Sequence, residues 1–130
     1  MAGLWNSEQR DAIAAAMDDV VPGASELGSV DYVENLLTAL DYEPPHIWAG
    51  PQGWLEVGPW ERHAWATRIA EWRAVYDRVA RGESARGDSR ILHAHACEAT
   101  YGDPAYGGNR DEGGWRRIEF PSPLFPPARS

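Results

Sequence analysis

The feature that most constrains this chain is an apolar stripe in its middle. Trp65, Ile69, Trp72, Tyr76 and Val79 recur with gaps of four, three, four and three, the spacing of one face of a helix. A strand alternates its side chains with a period of two and cannot present that pattern. A helix from about Trp60 to Arg81 is therefore the first element to place. At 1.5 Å per residue it is about 33 Å long, enough to cross a small domain. Arg62, Arg68, Arg73, Arg78 and Arg81 flank the stripe, and their stems can cover apolar surface while the guanidiniums stay in water. This rod is expected to be the central packing element, with Trp65 and Trp72 in the core.

Shorter helices are expected on either side. Asn6 precedes Ser7-Glu8-Gln9, so Asn6 can cap a helix while Gln9 returns the bond, and Ile13, Met17 and Val20 continue at helical spacing. Pro22-Gly23 should stop it. A second helix is expected after a Ser29 cap, with Asp31 in its first turn and Val33, Leu36, Leu37 and Leu40 along one side. From Tyr42 to Pro59 four prolines and three glycines surround Trp48 and Trp54, which permits only turns and extended pieces. Gly82 and Gly87 bracket a break, after which Asp88 or Ser89 can cap a last helix through Ile91, Leu92, His95 and Ala99. Beyond Thr100 no period is visible, and the longest strand-like run is Trp115 to Phe120. The expected fold is mainly α: a small irregular helical domain of about four helices with long aromatic, Gly/Pro-rich loops and an extended C-terminal segment. Residues 1–130 suit a single domain, helical over about 6–99 and irregular over about 100–130.

Charge and cysteine content narrow the function classes. Residues 1–43 hold nine acids and a single base, Arg10, and so carry the whole net charge of −8. The remainder balances eleven acids against eleven arginines. No basic face exists to neutralise phosphates, which argues against nucleic acid. The acidic third either faces water or meets a basic partner. No apolar run reaches the ~20 residues of a membrane span, and no signal-like start is present. The lone Cys97 rules out an internal disulfide and fits a reducing compartment.

The stretch Tyr101-Gly102-Asp103-Pro104-Ala105-Tyr106-Gly107-Gly108-Asn109-Arg110-Asp111-Glu112-Gly113-Gly114-Trp115 is too aromatic for a flexible linker and too rich in glycine for a helix or strand. Glycine serves where the backbone takes positive φ or approaches something closely, and Tyr and Trp supply rigid amphipathic surface. The stretch reads as a shaped recognition loop. It lacks the glycine spacing of a phosphate-binding motif, and no strand leads into it. His93-Ala94-His95-Ala96-Cys97 is the candidate metal cluster. On a helix only His93 and Cys97, at i and i+4, could share an ion, with His63 or Asp103 as the nearest further ligands. Cys97 has no identifiable base to make it a nucleophile. Asp18-Asp19 and Asp111-Glu112 are adjacent pairs, suited to solvation rather than to opposed acid–base geometry. Neither a catalytic, a cofactor-binding nor a metal-binding set is assigned. Seven tryptophans exceed what one small core comfortably buries, and Trp48, Trp54 and Trp115 serve either domain packing or an interface, where a sugar platform would use the same residues.

Tyr101-Gly102-Asp103-Pro104, then Tyr106-Gly107-Gly108-Asn109 and, after Asp111, Gly114-Trp115 resemble the signature of the gluconate 2-dehydrogenase subunit 3 family. Ile47-Trp48-Ala49-Gly50 and the run from Trp65 through Arg68-Ile69 and Trp72 to Tyr76 resemble its central segment. The first forty residues are similar in character only. What the resemblance implies is a small non-catalytic subunit of a flavin-dependent dehydrogenase acting on sugars, sugar acids or glycosides. FAD and the catalytic histidine would reside in a large partner of the glucose-methanol-choline oxidoreductase class. This chain would stabilise or mature that partner, docking through Trp48, Trp54, Tyr101, Tyr106, Gly107, Gly108, Asn109, Trp115, Phe120 and Phe125, the last two beside or within the proline-rich tail. The alternative is a stand-alone carbohydrate-binding module. Many relatives carry a twin-arginine export signal, whereas this chain starts almost directly at its first helix. The complex is therefore expected in the cytoplasm, or in the periplasm where such a signal has been trimmed.

Overall fold

The computed structural model describes residues 3–42, 59–102 and 108–118, with the side chains of 59–61 excepted. The first helix, α1 (Ser7–Val20), begins with the expected capping box: Gln9 N–H donates to Asn6 Oδ1 at 2.8 Å, and Asn6 N–H donates to Gln9 Oε1 at 2.9 Å. Ile13 and Met17 are fully buried. The helix ends at Val21, and Asp18 pins the turn that follows by accepting from Ser25 N–H at 2.8 Å and from the Ser25 hydroxyl at 2.6 Å. Asp18 is thus a turn latch rather than one of a merely solvated pair.

The second helix, α2 (Ser29–Leu37), corrects the expected cap. Gly28, at φ +90°, holds the capping position, so Ser29 becomes the first helical residue and its buried hydroxyl has no hydrogen-bond partner. Val30, Val33 and Leu37 face inward, and a 3-10 turn follows over Ala39–Asp41. The central helix, α3 (Pro59–Ala80), spans 22 residues as its stripe requires. Ile69, Val75, Tyr76 and Val79 are buried, but Trp65 and Trp72 are only half-buried. The expectation that both tryptophans lie in the core is corrected: they meet in a T-shaped, edge-to-face contact with ring centres 6.2 Å apart, and the Arg68 guanidinium lies 5.5 Å from the centre of the Trp65 ring. Arg73 Nη2 donates to Leu37 O at 3.0 Å, adding to the local cap at the C-terminal end of α2, where the Thr38 hydroxyl donates to Glu34 O at 2.8 Å.

Gly82 and Gly87, both at positive φ, turn the chain into α4 (Asp88–Tyr101). Here too glycine takes the capping position. Asp88, the first helical residue, directs its buried carboxylate back to α3: Arg78 donates from Nε at 2.9 Å and from Nη2 at 2.7 Å, and Ala85 N–H adds a third bond at 2.8 Å. The Arg78 guanidinium holds the Asp88 carboxyl below the usual carboxylate range. This two-pronged pair fixes the α3–α4 turn in place of the helix cap expected at Asp88 or Ser89.

α1 packs on α3 and α4, α2 packs on α4 and more lightly on α1 and α3, and Trp5 from the N-terminal stretch lies 5.9 Å from Tyr76. The C-terminal expectation is also revised. A 3-10 turn (Arg110–Glu112) leads into a short α5 (Gly113–Arg117), so Trp115 begins no strand. Five helices and no strand occur among the described residues, which bears out the expected mainly α fold of about four helices, with α5 falling in the part expected to be irregular.

Candidate functional site

The glycine- and aromatic-rich stretch begins where α4 ends. Gly102 N–H closes the helix on Glu98 O at 2.8 Å, and a Cβ at Gly102 would overlap that same carbonyl oxygen. Described chain resumes at Gly108, packed so closely on α4 that a Cβ would overlap Ala99 O. Asn109 follows at φ +46°, in the left-handed region that asparagine tolerates better than most residues.

Asn109 is fully buried and uses both ends of its amide. Nδ2 donates to Gly102 O at 2.7 Å, joining the two chain ends that flank residues 103–107. Oδ1 accepts from Gly114 N–H at 2.8 Å and from Trp115 N–H at 3.3 Å, serving two of the N–H groups that open α5. A side chain at Gly114 would run into Thr100 O. Trp115 is buried, and its indole N–H donates to Tyr101 O at 2.6 Å. Each helix end leaves backbone groups without intrahelical partners; here one asparagine and one indole meet those of α4 and α5 together.

The lock continues to the α1–α2 turn. Arg110 N–H donates to Leu27 O at 2.9 Å, Arg110 Nη2 lies 3.2 Å from Asp31 Oδ2, and Arg117 Nη1 donates to Pro22 O at 2.6 Å. Asp111 and Glu112 join Asn109 at positive φ, a backbone that costs a non-glycine residue roughly 1–2 kcal/mol. The burial and bonds of Asn109 and Trp115 hold the chain in that shape.

The proposed contact residues therefore divide. Gly108, Asn109 and Trp115 face inward and meet other parts of this chain, and Tyr101 is half-buried at the end of α4. Trp48, Trp54, Tyr106, Gly107, Phe120 and Phe125 lie outside the described residues. Of the tryptophans with described side chains, Trp5 and Trp115 are buried and Trp65 and Trp72 half-buried. The only large hydrophobic side chain exposed among the described residues is Ile118, just past α5.

Other chemistry-bearing groups are tied into the fold. His95 is buried, with Nδ1 2.8 Å from the Tyr76 hydroxyl and its ring edge-on to Trp72 at 4.8 Å. Burial pushes its pKa down, against the Glu98 carboxylate, which raises it. The Tyr76 phenol is pushed up, first by burial and then by Glu98 and Tyr32. Sequence reading missed this pair, although Tyr76 on the stripe and His95 on the inner side of α4 were both visible. A shallow open cleft of ≈ 170 Å³ is lined by Arg10, Asp31 and Arg110 among others. It is smaller than the ~300–1,000 Å³ usual for a small-molecule site. Asp31 and Glu34 engage Arg10 there, and Asp31 also engages Arg110. No family model matches this chain, and no curated protein or solved structure matches it.

Proposed function

We propose that this chain is an accessory subunit that binds, stabilises or matures a large FAD-dependent dehydrogenase of the glucose-methanol-choline class acting on sugars, sugar acids or glycosides. The reading rests on the signature-like residues of the C-terminal third, and one structural observation supports it. Gly108, Asn109, Gly114 and Trp115 each have a steric or hydrogen-bonding reason to be that residue type. The pattern thus marks a specific local structure rather than a bias of composition.

Within this reading the described part of the pattern does not itself touch the partner. It joins the ends of α4 and α5 and holds residues 102 and 108 in place, from which the chain carrying Tyr106 and Gly107 departs. Contact falls to that segment, to Trp48 and Trp54, and to the tail carrying Phe120 and Phe125. FAD belongs to the large subunit, and this chain contributes surface rather than chemistry.

Co-expression with a large FAD-dependent oxidoreductase encoded beside it tests the proposal. The expected result is a single size-exclusion peak containing both chains and absorbing as a flavoprotein. Separate elution of the two chains, with flavin activity indifferent to this one, would overturn it.

A further inference from the structure

The accessory-subunit reading leaves the buried pair of Tyr76 and His95 unused. The Tyr76 hydroxyl lies 2.8 Å from His95 Nδ1, and the two rings stack with centres 5.8 Å apart and planes 13° from parallel. With the imidazole proton on Nε2, Nδ1 accepts from the phenol O–H. Burial lowers the pKa of His95, so neutral imidazole, the form that can take a proton, prevails at pH 7. Burial also opposes a Tyr76 phenolate. The phenol therefore keeps its proton until an electron is removed, when a phenol becomes a strong acid. Glu98, one turn further along α4, favours the charged form of His95 and accepts from the Tyr32 hydroxyl at 2.9 Å, so a proton gained by the imidazole meets a counter-charge. A line of rings joins this pair to the surface. Half-buried Trp65 meets Trp72 at 6.2 Å, Trp72 meets His95 at 4.8 Å, and Tyr76 lies next with buried Trp5 5.9 Å beyond it. These separations fall in the range of aromatic contact, about 4.5–7 Å.

We propose that Tyr76 and His95 form a redox site, at which the action of a strong one-electron oxidant on Trp65 or Trp72 ends as a neutral tyrosyl radical on Tyr76 with the phenol proton on His95. The oxidant takes one electron from an indole and is reduced. The indole radical cation takes one electron from Tyr76 and is restored, while the Tyr76 O–H bond breaks and an N–H bond forms at His95 Nδ1. The positive charge that starts on the indole ends on the imidazolium, facing Glu98. The Arg68 guanidinium beside Trp65 disfavours a cation on that ring and so drives the electron vacancy inward. At its end the radical is uncharged, which suits a buried site, and it is shielded from a second radical with which it would couple. This activity is independent of the flavoprotein partnership and is tested on this chain alone.

The test is flash photolysis of the full-length chain with ruthenium tris-bipyridine as the photo-oxidant and chloropentaamminecobalt(III) as the irreversible electron acceptor. Transient absorption and electron paramagnetic resonance of samples frozen after the flash identify the radical. The expected result is a tryptophan radical that decays as a tyrosyl radical grows in. Tyr76→Phe should lose the tyrosyl signal and leave the tryptophan radical in its place, with helicity unchanged. His95→Gln keeps an acceptor for the hydroxyl but not a base for its proton, and should lose the tyrosyl signal as well. Tyr42→Phe should behave as wild type. Tyr76→Phe removes a single oxygen and carries the test even where His95→Gln alters the fold. A tyrosyl signal of wild-type size in Tyr76→Phe overturns the proposal. So does a radical that stays on tryptophan in the wild type, or an unchanged tyrosyl yield in folded His95→Gln.

Discussion

At the scale of single residues, Asn109 has the widest reach, because one amide meets groups from three places at once. Asn109→Ala would leave Gly102 O and the Gly114 N–H buried without their partner, at about 1–3 kcal/mol for each orphaned group. Asn109→Asp keeps the acceptor that serves α5 but replaces the donor to Gly102 O with a second oxygen. Thermal unfolding should therefore place wild type above Asn109→Asp for loss of the Gly102 bond. Asn109→Ala should show in addition a brighter, red-shifted tryptophan emission as Trp115 is released. Equal melting of all three proteins would show that the lock contributes nothing. His95 and Tyr76 give a second test, in which burial disfavours both charged forms. The folded-state pKa of His95 lies below the unfolded ~6.5, so its contribution is present above pH ~6.5 and lost as pH falls below that value. Tyr76 is raised above the unfolded ~10, so its contribution is lost as pH rises beyond ~10. Melting temperature measured from pH 5 to 7 should fall less steeply on the acid side in His95→Gln than in wild type. Parallel curves would contradict this. The amphipathic positions of Tyr76 and His95 are legible in sequence, but their meeting is not, since it depends on how α3 and α4 cross.

At the scale of elements, helices announced by an internal pattern were readable and helix ends set by tertiary contact were not. The α1 capping box, the α3 stripe and the breaks at Pro22-Gly23 and Gly82 all follow from local chemistry. Ser29 and Asp88 look like caps, yet each lies one residue inside its helix because the glycine before it adopts positive φ. For Asp88 the winning interaction is with Arg78 on the preceding helix, ten residues back across the turn, beyond the four or so residues that a cap motif spans. α5 was hidden because five residues hold little periodicity, and its start is served by Asn109 rather than by a local cap. Glycine substitution separates these causes. Asp111→Gly relieves a positive-φ residue that is exposed and should stabilise by up to about 1 kcal/mol. Gly114→Ala drives a methyl into the Thr100 carbonyl and should destabilise by about 1–3 kcal/mol. Chemical denaturation of the two variants reads both signs, and a neutral Gly114→Ala would mean that α5 does not pack on α4 as described.

At the scale of the whole molecule, the surplus of tryptophan no longer separates the readings. Trp5 packs on Tyr76 and Trp115 seals the end of α4, so two residues outside the central stripe act inside the chain. The acidic first third is partly structural as well: Asp18 holds a turn, and Asp31 and Glu34 hold Arg10. What stands for the accessory role is the C-terminal pattern and the fit of its residues to one lock. Glycines framing aromatics read from sequence as surface; in the fold Gly108 and Gly114 are enclosed, because a glycine that lets backbone approach backbone looks the same in sequence as one that opens a loop. The most direct measurement of the central claim is the flavin content and dehydrogenase activity of the large FAD-dependent subunit produced with and without this chain. The large subunit produced alone should be flavin-poor and inactive, and the wild-type chain should restore both where Asn109→Ala restores less. A large subunit that is fully flavinylated and active by itself, and that never co-elutes with this chain, would contradict it.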